Sequence, residues 1–166
     1  MVNNPTNNLE SIKTVNGLIK DIKVAMFTTV SSNNKIISRP MQTQKVEFDG
    51  ELWYLTMKDT EKYQEITSNP NVDLAYAGNS YVSISGTAEF IEDEAKKKNT
   101  GIRSSTKCWT LPMDDPNVVL IKVDADSAEY WDSGNTLKSV KTFVKKLTNK
   151  DTEKDHKEIN DTVDFN

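Results

Sequence analysis

The 166-residue chain has one cysteine, Cys108, and one histidine, His156. A lone cysteine excludes an intramolecular disulfide and points to a reducing cytoplasm. The histidine sits in a charged tail, so no His/Cys cluster has metal-ligand spacing. A Cys–His nucleophile would need that tail to fold back. No G-x-S-x-G, P-loop or G-x-G-x-x-G occurs. No apolar run is long enough to span a bilayer. The start, "MVNNPTNNLE", has neither the basic nor the apolar region of a signal peptide. Net charge is −4, and residues 148–166 hold three lysines against six acids, a net −3. The rest is near neutral and carries no polycationic footprint for nucleic acid. Redox or group-transfer chemistry would therefore need an organic cofactor.

What is present is a run of short strands. Leu9, Ile12, Val15, Ile19 and Ile22 recur at helical spacing and predict an amphipathic helix to about Asp21. "KVAMFTTVS" reads as a strand. "KIISRPMQTQKVEF" and "ELWYLTM" flank Asp49-Gly50, a pair suited to a type I′ hairpin. "TEKYQEITS" is a short helix ending before Asn69-Pro70. "VDLAYAG" and "SYVSISGTAEFI" read as a second hairpin, with Gly86 at a bulge or bend. A polar helix starts near "EDEAKKK", and "VVLIKVDADSAEYWDS" reads as two strand pieces. Leu137, Val140, Phe143, Val144 and Leu147 predict a last amphipathic helix. Hairpin-linked strands without βαβ alternation favour a mainly β, antiparallel barrel with flanking helices. Residues 1–147 form one domain, and 148–166 an acidic tail that reads as disordered or frayed.

Two stretches point to a ligand. In "IISRPMQTQ", residues 36–44, Pro40 removes a ladder donor and holds Arg39 extended. In "LTMKDTEKYQEI", residues 55–66, a strand runs out at Thr56 and a helix begins near Asp59 or Thr60. Its free N–H groups, the Thr60 hydroxyl and the Lys62 charge suit a phosphate. The ordinary alternative is Thr60 as N-cap and Lys62 as a surface lysine. If the Asp49-Gly50 hairpin forms, Arg39 is carried to the same helix end; its alternative is a salt bridge on an edge strand guarded by Pro40. Trp53, Trp109 and Trp131 are either flat walls for a ring system or core residues.

These residues, with "SRPMQTQ", "LWYLTMKDTEKYQEITSNPNV", "YVSISGTAEF", "DDPNVVLIKV" and "AEYWDS" in this order, resemble the general stress protein 26 family. That family lies among the pyridoxamine 5′-phosphate oxidase-like FMN-binding split barrels, and the likeness covers roughly residues 8 to 135. It implies a six-stranded antiparallel split β-barrel, a homodimer, and FMN at the dimer interface. By position, Arg39, Pro40, Met41 and Gln44 would lie along the flavin, with Leu55 and Thr56 flanking it. Thr60 and Lys62 would hold the phosphate. Tyr81 would reach in from the partner chain, and Trp131 and Trp109 would border the cofactor.

The chain also departs from true pyridoxamine-phosphate oxidases. Glu61 stands where they have a basic residue, and their Arg-x-His element near the C-terminus is missing, since His156 follows Lys154 and Asp155. "NTGIRSSTKCWTLPMDD" departs at the pocket rim. The resemblance thus implies a flavoprotein, an oxidoreductase or flavin reductase of unidentified substrate, and not vitamin B6 oxidation. A non-catalytic flavin-binding protein and a cofactor-free dimeric interaction protein stay open beside it.

Overall fold

A computed structural model describes residues 5–44, 47–93, 95, 115–132 and 160–165. The described elements are α1 (Pro5–Ile19), β1 (Val24–Val30), β2 (Ile36–Gln42), β3 (Glu51–Met57), α2 (Glu61–Ser68), β4 (Asn71–Ala77), β5 (Ser80–Ile91), β6 (Val118–Asp132) and β7 (Asn160–Asp164). The strands form one antiparallel sheet in the order β2-β1-β4-β5-β6-β3, with β7 added on β6. The two end strands, β2 and β3, approach each other without forming a ladder.

Strand alternation builds the interior. In β3, buried Leu52, Tyr54 and Thr56 alternate with half-exposed residues, and in β4 Val72, Leu74 and Tyr76 do the same. One face of the curved sheet therefore closes on Phe27, Tyr54, Leu74, Ile84 and Val123, all fully buried. The helix at the N-terminus adds Val15, Leu18 and Ile19 to this cluster. Its Asn16 side chain accepts the Phe48 N–H, tying the chain ahead of β3 to α1.

The Asp49-Gly50 expectation is corrected. Gly50 does take a positive φ of 111°, but the segment does not close a hairpin. β2 pairs with β1, and β3 pairs with β6 along Glu51–Met57 against Val118–Asp124. The tight turn lies earlier, at residues 31–35, where Asn34 has φ 60° and Ser31 and Lys35 exchange hydrogen bonds. A turn signal is local, whereas the partner of the following strand is chosen by which neighbour covers its apolar face. Pro40 fits this outcome, because β2 ends the sheet order and one side of it needs no ladder donor.

The expected hairpin of β4 and β5 is present. Two strand pieces were expected after residue 117, and they are one 15-residue strand, β6. It is continuous because β5 spans its length, and it is bent at a bulge. Gly86 pairs Ala125 while Ser85 pairs Ser127, which leaves Asp126 without an opposite residue. The buried set of β6 switches phase there, from Ile121, Val123 and Ala125 to Ala128 and Tyr130, as one inserted residue requires. The outer edge of β6 changes partner at the same point. Ala125 N–H donates to the Gly50 carbonyl beside β3, and Phe165 N–H donates to the Asp126 carbonyl beside β7.

The end of the chain is a second correction. Residues 160–164, read as part of a frayed tail, pair with Ser127–Trp131, and Phe165 packs edge-on against Phe48. Val163 and Phe165 supply the apolar contacts that the acidic composition obscured. Of the helix expected near "EDEAKKK" only Glu92, Asp93 and Ala95 are described, Ala95 in helical conformation; the helix expected over 137–147 and residues 148–159 of the tail lie outside the described residues.

Candidate functional site

The chain runs from β3 into α2 through residues 58–60. Thr60 caps α2, the ordinary alternative for this residue, its hydroxyl accepting from the Tyr63 N–H and donating to the Met57 carbonyl at 2.7 Å. Thr56, buried at the end of β3, lies 3.4 Å from that hydroxyl. The helix then carries Lys62 and Glu65 three residues apart, on one face.

On β2, the register sets Arg39 opposite Phe27, a fully buried residue, so Arg39 and Met41 point inward and Pro40 outward. The Arg39 side chain runs beneath α2. One terminal nitrogen donates to Glu65 Oε2 at 2.7 Å and the other to Thr29 Oγ1 at 2.9 Å. Thr29 donates in turn to the same carboxylate oxygen at 2.6 Å. Thr29 is fully buried and Glu65 only 7% exposed, so this triangle is largely out of water. Burial pushes the Glu65 carboxyl up, but the Thr29 and Arg39 bonds outweigh it and hold it below the usual value.

Lys62 completes the cluster. Its ammonium donates to the Met41 sulfur at 2.9 Å, and it forms no ion pair among the described residues. Burial and then the nearby Arg39 guanidinium lower its pKa to about 8, against a smaller opposing pull from Glu65. A half-buried cation with a sulfur for its nearest partner is an under-compensated charge, and an anion is what would compensate it.

The expected site residues thus fall into two groups. Arg39, Met41, Thr56, Thr60 and Lys62 gather where β2 and the end of β3 meet α2. Pro40, Tyr81 and Trp131 stand on the outer face of the sheet, where Tyr81 and Trp131 are direct cross-strand partners, 57% and 38% exposed. Leu55 points away from Thr56, to the outer side of β3. Gln44 is half-buried just past β2. Trp109 lies outside the described residues.

Sequence reasoning missed Thr29 and Glu65. The signal was present as a polar residue at an inward position: Thr29 continues the buried set Ala25, Phe27, and Glu65 adjoins the core residue Ile66. It also missed Tyr54 and Tyr76, whose hydroxyls meet at 2.6 Å in the core. Burial raises both phenols above the usual value. The buried Thr43 hydroxyl faces them without a hydrogen bond of good geometry.

Comparison with known proteins identifies the family and the fold. The family profile described as pyridoxamine 5′-phosphate oxidase like matches residues 10–155. General stress protein 26 of Bacillus subtilis (strain 168) is 31% identical over 85 residues, covering 48% of this chain and 60% of that protein. The match thus spans less than two thirds of that relative. The crystal structure of general stress protein 26 from Bacillus anthracis str. Sterne superposes with a TM-score of 0.60 at 29% identity, covering 74% of this chain and 93% of that one. A Clostridium acetobutylicum protein related to general stress protein 26 gives a TM-score of 0.63 at 20% identity, covering 75% and 89%. The open-ended sheet, with β2 and β3 adjacent but unpaired, is the split barrel of these structures. With the profile spanning most of its length, the chain belongs to the pyridoxamine 5′-phosphate oxidase-like family and is a homologue of general stress protein 26.

Proposed function

We propose that this chain is an FMN-binding protein of the general stress type, an oxidoreductase or flavin reductase that works as a homodimer. The observation that carries the reading is Lys62, a half-buried ammonium beside Arg39 with a sulfur for its nearest partner. Lys62 and the first N–H groups of α2 would hold the phosphate, joined by the Thr60 hydroxyl once its proton turns from the Met57 carbonyl to the ligand. Arg39 would add the donors that Glu65 and Thr29 leave open. These residues fit a phosphate monoester, because they combine cationic and neutral donors at one helix start. Met41 and Thr56 would line the cofactor on the side of Lys62, and Gln44 beyond β2, whereas Pro40 and Leu55 face the outer side with Tyr81 and Trp131, so they would meet only a part of the flavin that reaches that face. When bound, FMN supplies the electron-carrying chemistry that no described side chain offers.

The dimer rests on the outer face. Val24, Met26, Ile36, Tyr81 and Trp131 are among the large apolar residues most exposed, at 49, 42, 76, 57 and 38%, and the strand registers put them all on that side of the sheet. Such a face is the kind a second copy covers. Tyr81 would then contribute from the partner, with Trp131 bordering the flavin.

A second reading, a dimeric interaction protein without cofactor, draws on the Arg39–Glu65 pair, which already neutralises one of the two cations. Titration with FMN, followed by flavin absorbance and fluorescence, separates the two. The expected result is saturable binding that Lys62→Ala weakens by about tenfold or more, the loss of one charge-assisted contact. Equal affinity in the variant would refute the phosphate assignment, and no binding at all would favour the cofactor-free reading. Oxidation of a reduced nicotinamide by the FMN-loaded protein then distinguishes an enzyme from a flavin carrier.

A further inference from the structure

Glu65 has no place in the phosphate reading, yet it is the most buried acid among the described residues and holds the best-placed arginine. A carboxylate inside an anion site works against the anion. Its Oε2 is fixed by Thr29 at 2.6 Å and by Arg39 at 2.7 Å, so it cannot swing aside without breaking two charge-assisted bonds. We infer that Glu65 is an affinity-limiting residue: it competes with the ligand's phosphate for Arg39 and keeps the cofactor exchangeable. The inference rests on the phosphate reading above.

Three features support it. First, Arg39, Lys62 and Glu65 act on one another, a net of one positive charge where the two bases alone would present two, and Glu61 in the first turn of α2 adds a further acid nearby. Second, Arg39 offers a ligand only the donors that point away from Thr29 and Glu65, so the phosphate shares the guanidinium instead of capturing it. Third, the far side of Glu65 opens on a cavity of about 490 Å³ between α2 and the β1–β2 turn, lined by Ser31, Lys35, Ile37, Glu61, Gln64 and Ser68. A polar cavity of that size admits water. Water there would solvate the carboxylate from behind and keep it a charged competitor when an anion arrives.

The decisive comparison is between the wild-type chain, Glu65→Gln and Glu65→Asp. Glutamine keeps the shape and can still accept from Thr29 and Arg39 while removing the charge. Aspartate keeps the charge but retracts it from Arg39. Affinities for FMN, riboflavin and inorganic phosphate are measured by calorimetry, with thermal unfolding to confirm that each variant folds. Glu65→Gln is expected to bind FMN and phosphate about tenfold more tightly, the scale of one nearby charge in a partly buried site. Glu65→Asp should give a smaller gain, and riboflavin affinity should not change. If the wild type binds FMN and both variants bind it equally or more weakly, Glu65 is a structural strut, and the inference fails while the FMN reading stands. If the wild type ignores FMN but Glu65→Gln takes it up, the inference stands and the FMN reading fails for the natural chain. If no form binds FMN or phosphate, both fall.

Discussion

At Lys62 an ammonium sits half out of water, against a methionine sulfur and near a guanidinium, and its proton is correspondingly loose. Burial, reinforced by Arg39, brings the pKa to about 8 from an unfolded value of 10.5. Between those two pH values the folded chain binds fewer protons than the unfolded chain, so this lysine's cost to stability is full below about pH 8 and fades above it. Ligand binding responds in the opposite sense, because a bound phosphate needs the charged form. FMN affinity is therefore expected to be level from neutrality to about pH 8 and then to fall by up to about tenfold per pH unit. Titrations across pH 7–10 check this, and Lys62→Met should flatten the curve; a fall that persists in the variant would assign it to another group. The residue types at this site were legible in order: Arg39, Thr60 and Lys62 stand out in the sequence as candidates for a phosphate. Glu65 was not, since an acid in a polar helix looks like solvated surface until the fold turns it under β1 and β2.

The element that organises the sheet is β6, and its bend depends on the absence of one side chain. A Cβ on Gly86 would collide with the Asp124 backbone carbonyl, and the Val123 side chain is also close, at 3.1 Å. Backbone cannot move aside as a flexible side chain can, so Gly86→Ala must open the β5–β6 ladder at the bulge. The expected loss is about 2–3 kcal/mol, read as a lowered urea midpoint with the slope unchanged. A wild-type midpoint would show that the bulge relaxes freely. Here a bulge was foreseen at Gly86 from its place in a strand pattern. That the extra residue belongs to β6, at Asp126, was not, because a bulge is a mismatch between two strands and one strand's sequence holds half of it.

For the whole molecule, the proposed dimer would form through the outer face. Met26 lies opposite Pro40 on one side and Ala75 on the other, in the middle of the apolar surface that a second copy would cover. Glutamate at that position faces water harmlessly in a monomer but would be buried against apolar groups in a dimer. Met26→Glu is expected to leave thermal unfolding of the barrel largely intact and to shift sedimentation from dimer to monomer, with FMN affinity falling alongside. A monomeric wild type, or a variant that stays dimeric, would place the interface elsewhere.

The alternation of apolar and polar residues was enough to settle a mainly β, antiparallel protein with short helices, because side-chain period follows directly from backbone geometry. The start of α2 was equally readable, since an N-cap and a first turn are made within a few residues. Strand order was not readable. β3 could satisfy its ladder against β2 or β6, and the choice turned on burying Val119, Ile121 and Val123 of a segment more than sixty residues away in the chain. Nor was the closing strand, β7, whose acidic residues hide two apolar positions that matter only because Phe48 is there to meet Phe165. Contacts made within a turn or two are written in local chemistry. Contacts made between distant segments depend on which apolar faces the folded chain brings together, and at this site that includes the Glu65 carboxylate set against Arg39.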